Sequence, residues 1–449
     1  MQPGRAHVVG LARSGMAAIR LLLRNGWQVV ASDSKYSSEL NEKADEIRKL
    51  GAEVFLAGHK QALEYSVDLA VVSPGVPPYA EVLVEISQLG LNAISEVELG
   101  WMFAKGKIAA ITGSNGKSTT TALLGEIFRQ TGKSTFVCGN IGLAMCEIAD
   151  QTEEDSLIAL ELSSYQLERT QKFKPQTAAI LSYSPDHLDW HGSEKAYKTA
   201  KMKIWKNMSG GQRLINYWDD PGLVDMMPDP YDHSVTALPF SLSEPLTEGA
   251  WLVNDYINVK VGNSGSFQVG INDIALRGSH NIANAMAAIL LALECGVSEN
   301  AIRRGLKEFR GLPHRLELIA VKNGVTYIND SKATNVDAGM TALQAMERPT
   351  VLLIGGRPKS GGFKAVSKHA AIIKQVITFG EASSEIERDL SDDMEVMLTD
   401  TIDQAIAEAK SIAQPGDVVL LSPMCASFDQ FKDYEQRGDV FRQLVESIE

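Results

Sequence analysis

The sequence predicts an α/β protein built on three mainly parallel sheets. Strand-like and helix-like segments alternate along nearly the whole chain, as in layered α/β folds. The strands fall into three separate runs. A chain of 449 residues, at ~150 per domain, also has room for about three cores.

In order, residues 6–9 read as a strand, 15–23 as a helix and 28–31 as a strand ending at Asp33. Another strand, 67–72, stops at Ser73-Pro74-Gly75. A second run begins at 107–111 and continues at 157–160, 177–181 and 213–216. A third occupies 325–329, 350–354, 375–379 and 417–421. Between 218 and 269 Asp, Pro and Gly are common, which predicts loops and short antiparallel strands within the middle domain. These runs place domains at 1–104, 105–312 and 313–449.

Hydrophobic content of 44%, charged content of 22%, 37 Gly and 16 Pro exclude a disordered or fibrous chain. The net charge of −13 argues against a nucleic-acid partner, since duplex affinity needs many basic side chains on phosphates. Residues 381–403 hold nine acidic and one basic residue, which reads as a solvated acidic face of the third domain. Four scattered cysteines without a CxxC pair predict reduced thiols. The apolar start is interrupted by Gly10, Arg13, Ser14 and Gly15, unlike a signal peptide. No stretch reaches the ~18 apolar residues of a membrane span. A soluble cytoplasmic protein without a membrane partner is expected.

The strongest local signal is Ile111-Thr112-Gly113-Ser114-Asn115-Gly116-Lys117-Ser118-Thr119, between a strand and a helix over 120–129. Glycines turn backbone N–H groups onto phosphate oxygens and the helix start adds partial positive charge. Lys117 suits the β/γ-phosphates and Ser118 suits Mg²⁺. The strict phosphate-loop pattern has glycine where Ile111 stands, and a Gly-rich turn without a ligand is the alternative.

Gly10-Leu11-Ala12-Arg13-Ser14-Gly15 follows the first strand and looks like a dinucleotide fingerprint with Ala12 at the middle glycine. Asp33 stands where an acidic residue meets a ribose in such folds. This turn raises a rival reading, an NAD-dependent oxidoreductase, which needs no ATP site. Glu161 ends one strand and Asp186-His187 follows the next, at the sheet edge where ligands bind, which suggests Mg²⁺ ligation.

Lys201 is one of four lysines in one helix, whose composition reads as a solvated basic face. Asn281 and Asn284 share a helix side at i, i+3, with helix capping by Asn281 the alternative. In the last third His314-Arg315, Asp330, Lys332, Thr334, Arg357, Lys359 and Ser427 follow strands or sit in linkers, a cluster that suits a small anionic substrate.

Six motifs then converge: TGSNGKST (112–119), ELSSYQLE (161–168), DHLDWHG (186–192) with AYKTAK (196–201), GSHNIANAMAA (278–288), LPHRLE (312–317) and NDSKATN (329–335). In this order, with GLARSG (10–15) and SPG (73–75), they resemble the Mur ligases, ATP-dependent amide-forming enzymes of peptidoglycan precursor synthesis. DSKATN, GGRPKSGGF (355–363) and LLSPMCASFDQFKDYEQRGDVF (420–441) are similar to the branch that adds D-glutamate to UDP-N-acetylmuramoyl-L-alanine. The DNPR-type motif of the diaminopimelate- or lysine-adding branch is absent. A folylpolyglutamate synthase-like ligase, which shares the ATP site, is the rival within this class.

The resemblance implies a Rossmann-like N-terminal domain, a central P-loop-type ATPase domain and a Rossmann-like C-terminal domain, in a monomer. It implies ATP at Gly113 to Thr119, with Asn281 and Asn284 at the adenine and Arg315 and Asp330 near ribose and phosphates. It implies two Mg²⁺ ions held by Ser118, Glu161, His187 and a carbamylated Lys201, which reverses the solvated reading of that lysine. Lys117, His187 and Lys201 become the catalytic set. Ala12, Arg13, Ser14, Asp33, Ser34, Lys35, Ser73 and Gly75 would hold the UDP end of UDP-N-acetylmuramoyl-L-alanine, with Asn140 and His187 near its other end. Lys332, Thr334, Lys359, Ser427 and Tyr434 would form the D-glutamate pocket, where Tyr434 adds a hydroxyl to the family's Phe.

Overall fold

The computed structural model describes residues 2–228, 235–262, 265–276, 278–358 and 362–448. It comprises two compact units, residues 1–310 and 311–449. The first unit contains two sheets and the second contains one.

The first sheet comprises β1 (Arg5–Val9), β2 (Gln28–Ser32), β3 (Glu53–Phe55), β4 (Leu69–Val72) and β5 (Ala93–Ser95), all parallel, in the order β3-β2-β1-β4-β5. β1 and β4 are buried almost throughout, as strands covered on both faces must be. The apolar start of the chain forms β1 and the helix Arg13–Arg24, which buries Gly15 to Ile19, Leu21 and Leu22. The chain runs outward from β1 on one side and then on the other, so a crevice opens between the ends of β1 and β4.

The second sheet has nine strands: β6 (Lys107–Thr112), β7 (Thr135–Gly139), β8 (Leu157–Glu161), β9 (Thr177–Ile180), β10 (Gln212–Tyr217), β11 (Val235–Ser241), β12 (Gly249–Val253), β13 (Tyr256–Lys260) and β14 (Ser266–Gly270). Their order is β14-β13-β12-β11-β10-β9-β6-β8-β7. Here the expectation for residues 218–269 needs correction. β11 and β12 continue the sheet in parallel from β10, and only β12, β13 and β14 pair antiparallel. Pro239 breaks the β11 pattern in sequence, while Leu238 and Phe240 bury against Ala285 to Ala292, far along the chain. That burial is invisible locally.

The third sheet comprises β15 (Glu317–Lys322), β16 (Val325–Asn329), β17 (Thr350–Gly355), β18 (Ile373–Phe379), β19 (Val396–Leu398) and β20 (Val418–Met424), in the order β15-β16-β20-β17-β18-β19. Only β15 runs antiparallel to its neighbour. Because β20 inserts between β16 and β17, the loops after Asn329, Gly355 and Met424 emerge side by side. Of the nine acidic residues in 381–403, seven are exposed, so their charge is solvated. Among the described residues, no helix is long and apolar enough to cross a membrane.

Candidate active site

β6 lies between β8 and β9, and the loop after it leads directly into the helix Lys117–Arg129. Gly116 has φ of 82°, and a Cβ there would meet Asn284 Oδ1 at 2.5 Å, so both conformation and space require glycine. The loop is fastened to the segment after β9. Ser114 N–H donates to the Ser182 carbonyl at 3.0 Å, and Asn115 N–H donates to Ser182 Oγ at 2.8 Å. Ser118 and Thr119 are buried in the first helical turn.

Lys117 Nζ curls back to the carbonyls of Gly113 and Ser114, at 2.8 and 2.9 Å. Lys201, in the helix Glu194–Met202, reaches the same Gly113 carbonyl at 2.9 Å. The composition-based reading of this helix as solvated is therefore wrong for Lys201. Lys195 is exposed and Lys198 pairs with Glu194 and Asp225, whereas Lys201 is only 2% exposed with its Nζ 4.7 Å from the Tyr197 ring centroid. Burial, reinforced by Lys117, holds its amine well below the usual lysine range.

Glu161 ends β8 and is buried. Its Oε1 accepts from Asn140 Nδ2 at 2.7 Å, while Oε2 has no partner. A buried carboxylate oxygen left unpaired is costly, so this atom suits a cation. His187 sits at φ 54°, half-exposed, 3.3 Å from Asp186 Oδ2. Among the described residues, no three His, Cys, Asp or Glu side chains converge. A metal at this edge would need the Ser118 hydroxyl, a modified Lys201 or phosphate oxygens as well.

Sequence reasoning passed over the aromatic wall beside these groups. Tyr165 contacts His187, Trp190 and His191, with ring centroids 4.9, 4.6 and 5.7 Å away. His191 donates to or accepts from Ser164 Oγ at 2.9 Å, and burial lowers its pKa to about 4. The four-residue spacing of His187 and His191 was a helical signal that could have revealed this wall.

Asn284 is buried against the loop, accepting from Thr120 Oγ1 at 3.2 Å and donating to Asn281 Oδ1 at 3.2 Å. Both asparagines thus stand at the start of the phosphate-loop helix.

In the first sheet, Ser73 Oγ donates to the Gly10 carbonyl at 3.0 Å, and a Cβ at Gly15 would collide with that same carbonyl at 1.8 Å. Asp33 accepts from Leu11 N–H and Lys35 N–H, both at 2.9 Å. Ala12, Ser34, Lys35 and Gly75 are exposed around these turns and Ser14 is half-buried. The exposed Arg13 donates from its guanidinium to the carbonyls of Gly139 and Gly142, each at 3.0 Å, tying this turn to the Asn140 loop.

In the second unit, Asp330 accepts from Leu316 N–H at 3.1 Å and Ser422 Oγ at 3.0 Å. Burial pushes its carboxyl up to about 7, against the Arg315 field. Arg315 Nε is buried without a partner. Lys332 Nζ lies 5.6 Å from the Tyr434 ring centroid, and Ser331 Oγ donates to the Tyr434 carbonyl at 2.8 Å. Ser427 is buried and Thr334 half-buried at the same edge, whereas Lys359 lies outside the described residues. Sequence reasoning also missed Arg437, wholly buried, which donates to Ser331 Oγ, the Ser331 carbonyl and the Cys425 carbonyl at 2.9–3.1 Å and so joins two of these loops.

A phosphate loop inside one of three mainly parallel sheets, with the buried Lys201, the half-buried Lys117 and an unpaired carboxylate oxygen beside it, defines a phosphate-binding α/β protein. The comparisons specify which. Family models match in chain order: the Mur ligase MurD-like N-terminal domain at 4–95, the Mur ligase middle domain at 111–292 and the Mur ligase glutamate ligase domain at 314–425. UDP-N-acetylmuramoylalanine--D-glutamate ligase of Alkaliphilus metalliredigens is 38% identical, over 98% of this chain and 97% of its own. The protein of that name from Acidobacterium capsulatum is 40% identical, over 98% and 95%. Among solved structures, MurF from Acinetobacter baumannii shares the fold with a TM-score of 0.62 at 18% identity, over 95% of this chain and 92% of its own. MurF ligase from Thermotoga maritima in complex with ADP gives 0.58 at 16%, over 93% and 95%. The chain belongs to the Mur ligase family.

Proposed function

We propose that this chain uses ATP to join D-glutamate to UDP-N-acetylmuramoyl-L-alanine, releasing ADP and phosphate, as a cytoplasmic monomer of peptidoglycan precursor synthesis. The observation that carries this reading is the convergence of Lys117 and Lys201 on one carbonyl of the phosphate loop. The full-length similarity to D-glutamate ligases supports the choice of substrates.

In this reading the carboxylate of UDP-N-acetylmuramoyl-L-alanine attacks the γ-phosphate of ATP, and the resulting acyl phosphate is attacked by the amine of D-glutamate. A tetrahedral adduct forms, phosphate leaves with the C–O bond, and the amine proton passes to solvent or base. The obstacle is that two anions must meet: at a few ångströms in a dry site their repulsion amounts to several kcal/mol. Lys117 offsets part of it by facing the β/γ-phosphates, together with the N–H groups of the helix start. Mg²⁺, when bound, supplies the remaining charge neutralisation. Ser118 and Glu161 are the residues to hold one ion, and His187 with Lys201 the second. An uncharged buried amine is the form that takes up CO₂, and a carbamate on Lys201 would replace a cation by a carboxylate-like ligand.

Asn281 and Asn284 flank the adenine end, with Arg315 and Asp330 toward ribose and phosphates. Ala12, Arg13, Ser14, Asp33, Ser34, Lys35, Ser73 and Gly75 hold the UDP end, and Asn140 lies toward the alanyl end. Lys332, Thr334, Lys359, Ser427 and Tyr434 receive D-glutamate. The domains divide this work as 1–104, 105–312 and 313–449.

The deciding assay is ADP formation with UDP-N-acetylmuramoyl-L-alanine against a panel of amino acids. Turnover with D-glutamate and none with L-glutamate is expected. Turnover with L-glutamate and a folate, or NAD(H) binding without ATP turnover, would replace this reading.

A further inference from the structure

Away from the phosphate loop, the first sheet carries a chain of three side chains, two buried and the third, His59, half-buried. His7 on β1 is wholly buried, with Nε2 2.7 Å from Ser32 Oγ on β2. The same oxygen lies 2.8 Å from Nδ1 of His59, in the turn after β3. His7 Nδ1 is buried and has no partner.

These distances dictate where the protons sit. A proton on the unpartnered Nδ1 would strand a buried donor, so His7 carries its hydrogen on Nε2 and donates to Ser32 Oγ. A hydroxyl has one hydrogen, and that of Ser32 then goes to His59 Nδ1. In this arrangement His59 is neutral, with its own hydrogen on Nε2. If His59 took up a second proton, Nδ1 would become a donor too, and the fully buried Ser32 hydroxyl would lose its acceptor.

The ends of this relay flank the turn read above as the UDP site. The Ser32 carbonyl accepts from Gly10 N–H at 2.8 Å, and Asp33 follows directly. The turn that carries His59 backs residues 33–35: Gly58 N–H donates to the Asp33 carbonyl at 3.0 Å and Ala57 N–H to the Lys35 carbonyl at 3.2 Å. The charged groups whose fields reach His59 are Asp33 and, from the helix Glu81–Gln88, Glu85, and both favour protonation. Burial opposes them and prevails, so His59 titrates below the usual histidine range. His7 is driven by burial to about 4 and stays neutral throughout.

We propose that His59 is a proton-sensitive positioning residue for the UDP end of the substrate. Neutral, it is latched through Ser32 to His7 and holds the turn 33–35; protonated, it releases that turn and UDP-substrate affinity falls. The proposal rests on the reading of residues 10–15, 33–35 and 73–75 as the UDP site. Because burial lowers the folded-state pKa, the latch is complete above about 6.5 and is lost as pH falls through the folded value.

The test uses the full-length protein and titrates UDP-N-acetylmuramoyl-L-alanine and ADP separately, by calorimetry, between about pH 7.5 and 5.5. The UDP-substrate Kd is expected to rise several-fold on acidification, with about tenfold as the ceiling at pH 5.5 because His59 titrates below its usual range, while the ADP Kd stays within about twofold. His59→Asn keeps an acceptor for Ser32 but cannot titrate, and should flatten the UDP-substrate profile. A flat wild-type profile, or a full pH dependence retained in His59→Asn, overturns the proposal. Imidazole ¹⁵N spectra of the protein without ligand test the relay itself: a hydrogen on Nδ1 of His59 at neutral pH overturns it. Expected tautomers with no UDP-substrate binding at about pH 7.5 would instead overturn the UDP-site reading and the proposal with it.

Discussion

Lys117 and Lys201 donate to the same Gly113 carbonyl oxygen, at 2.8 and 2.9 Å, from helices that start at Lys117 and Glu194, far apart in sequence. Two ammonium groups around one oxygen repel, and Lys201 is the more deeply buried of the two. The cheaper arrangement has Lys201 uncharged, which is also the nucleophilic form.

Lys201→Ala is accordingly expected to lower turnover by about a hundredfold or more. Short carboxylates such as formate or acetate should restore part of it, by occupying the space of the carbamate. Full activity without rescue would exclude the modification.

For Lys117→Ala, ADP formation should fall by about a thousandfold or more, because charge stabilisation at the transferred phosphate is lost. Calorimetric binding of UDP-N-acetylmuramoyl-L-alanine should change little. Near-normal turnover in this variant would remove Lys117 from the phosphate site.

Glu98 is a buried carboxylate accepting from the N–H groups of Gln171, Lys172 and Phe173 at 3.0, 2.8 and 3.0 Å. It fastens the helix Glu96–Phe103 to the loop before β9. Glu98→Ala strands three donors and should cost about 2–4 kcal/mol. Urea unfolding followed by tryptophan fluorescence reads this at Trp101, which packs against Phe173.

Glu96 behaves oppositely. One oxygen accepts from Cys146 N–H at 2.6 Å, the other is buried without a partner, and burial raises the carboxyl to about 7. The folded chain therefore binds more protons than the unfolded one between about 4.5 and 7, and stability falls as pH rises through that window. Glu96→Gln should be about 1–3 kcal/mol more stable than the parent above pH 7, with the gap closing toward pH 5. Thermal unfolding at both pH values measures it, and an equal offset at both would refute the linkage.

The sequence by itself determined the α/β class and most of the strands whose ends carry the candidate site residues. The short apolar runs 108–111 and 351–354 form strands buried on both faces, and turn chemistry marks where they end. It also marked the glycine-rich turn at 113–116 between a strand and a helix, and the structure shows why Gly116 is required there: a positive φ, and a Cβ that would meet Asn284 Oδ1 at 2.5 Å. Tertiary structure alone decided what long-range burial controls. The four lysines between 195 and 203 look alike in sequence, and only the wall of Tyr197 and the Gly113 carbonyl make Lys201 the desolvated one. Residues 235–253 became strands because a helix nearly forty residues later, Ser279–Glu294, covers them. His7, Glu98 and Arg437 read as ordinary polar residues, and their partners, which lie 12 to 106 positions away, are what make them structural.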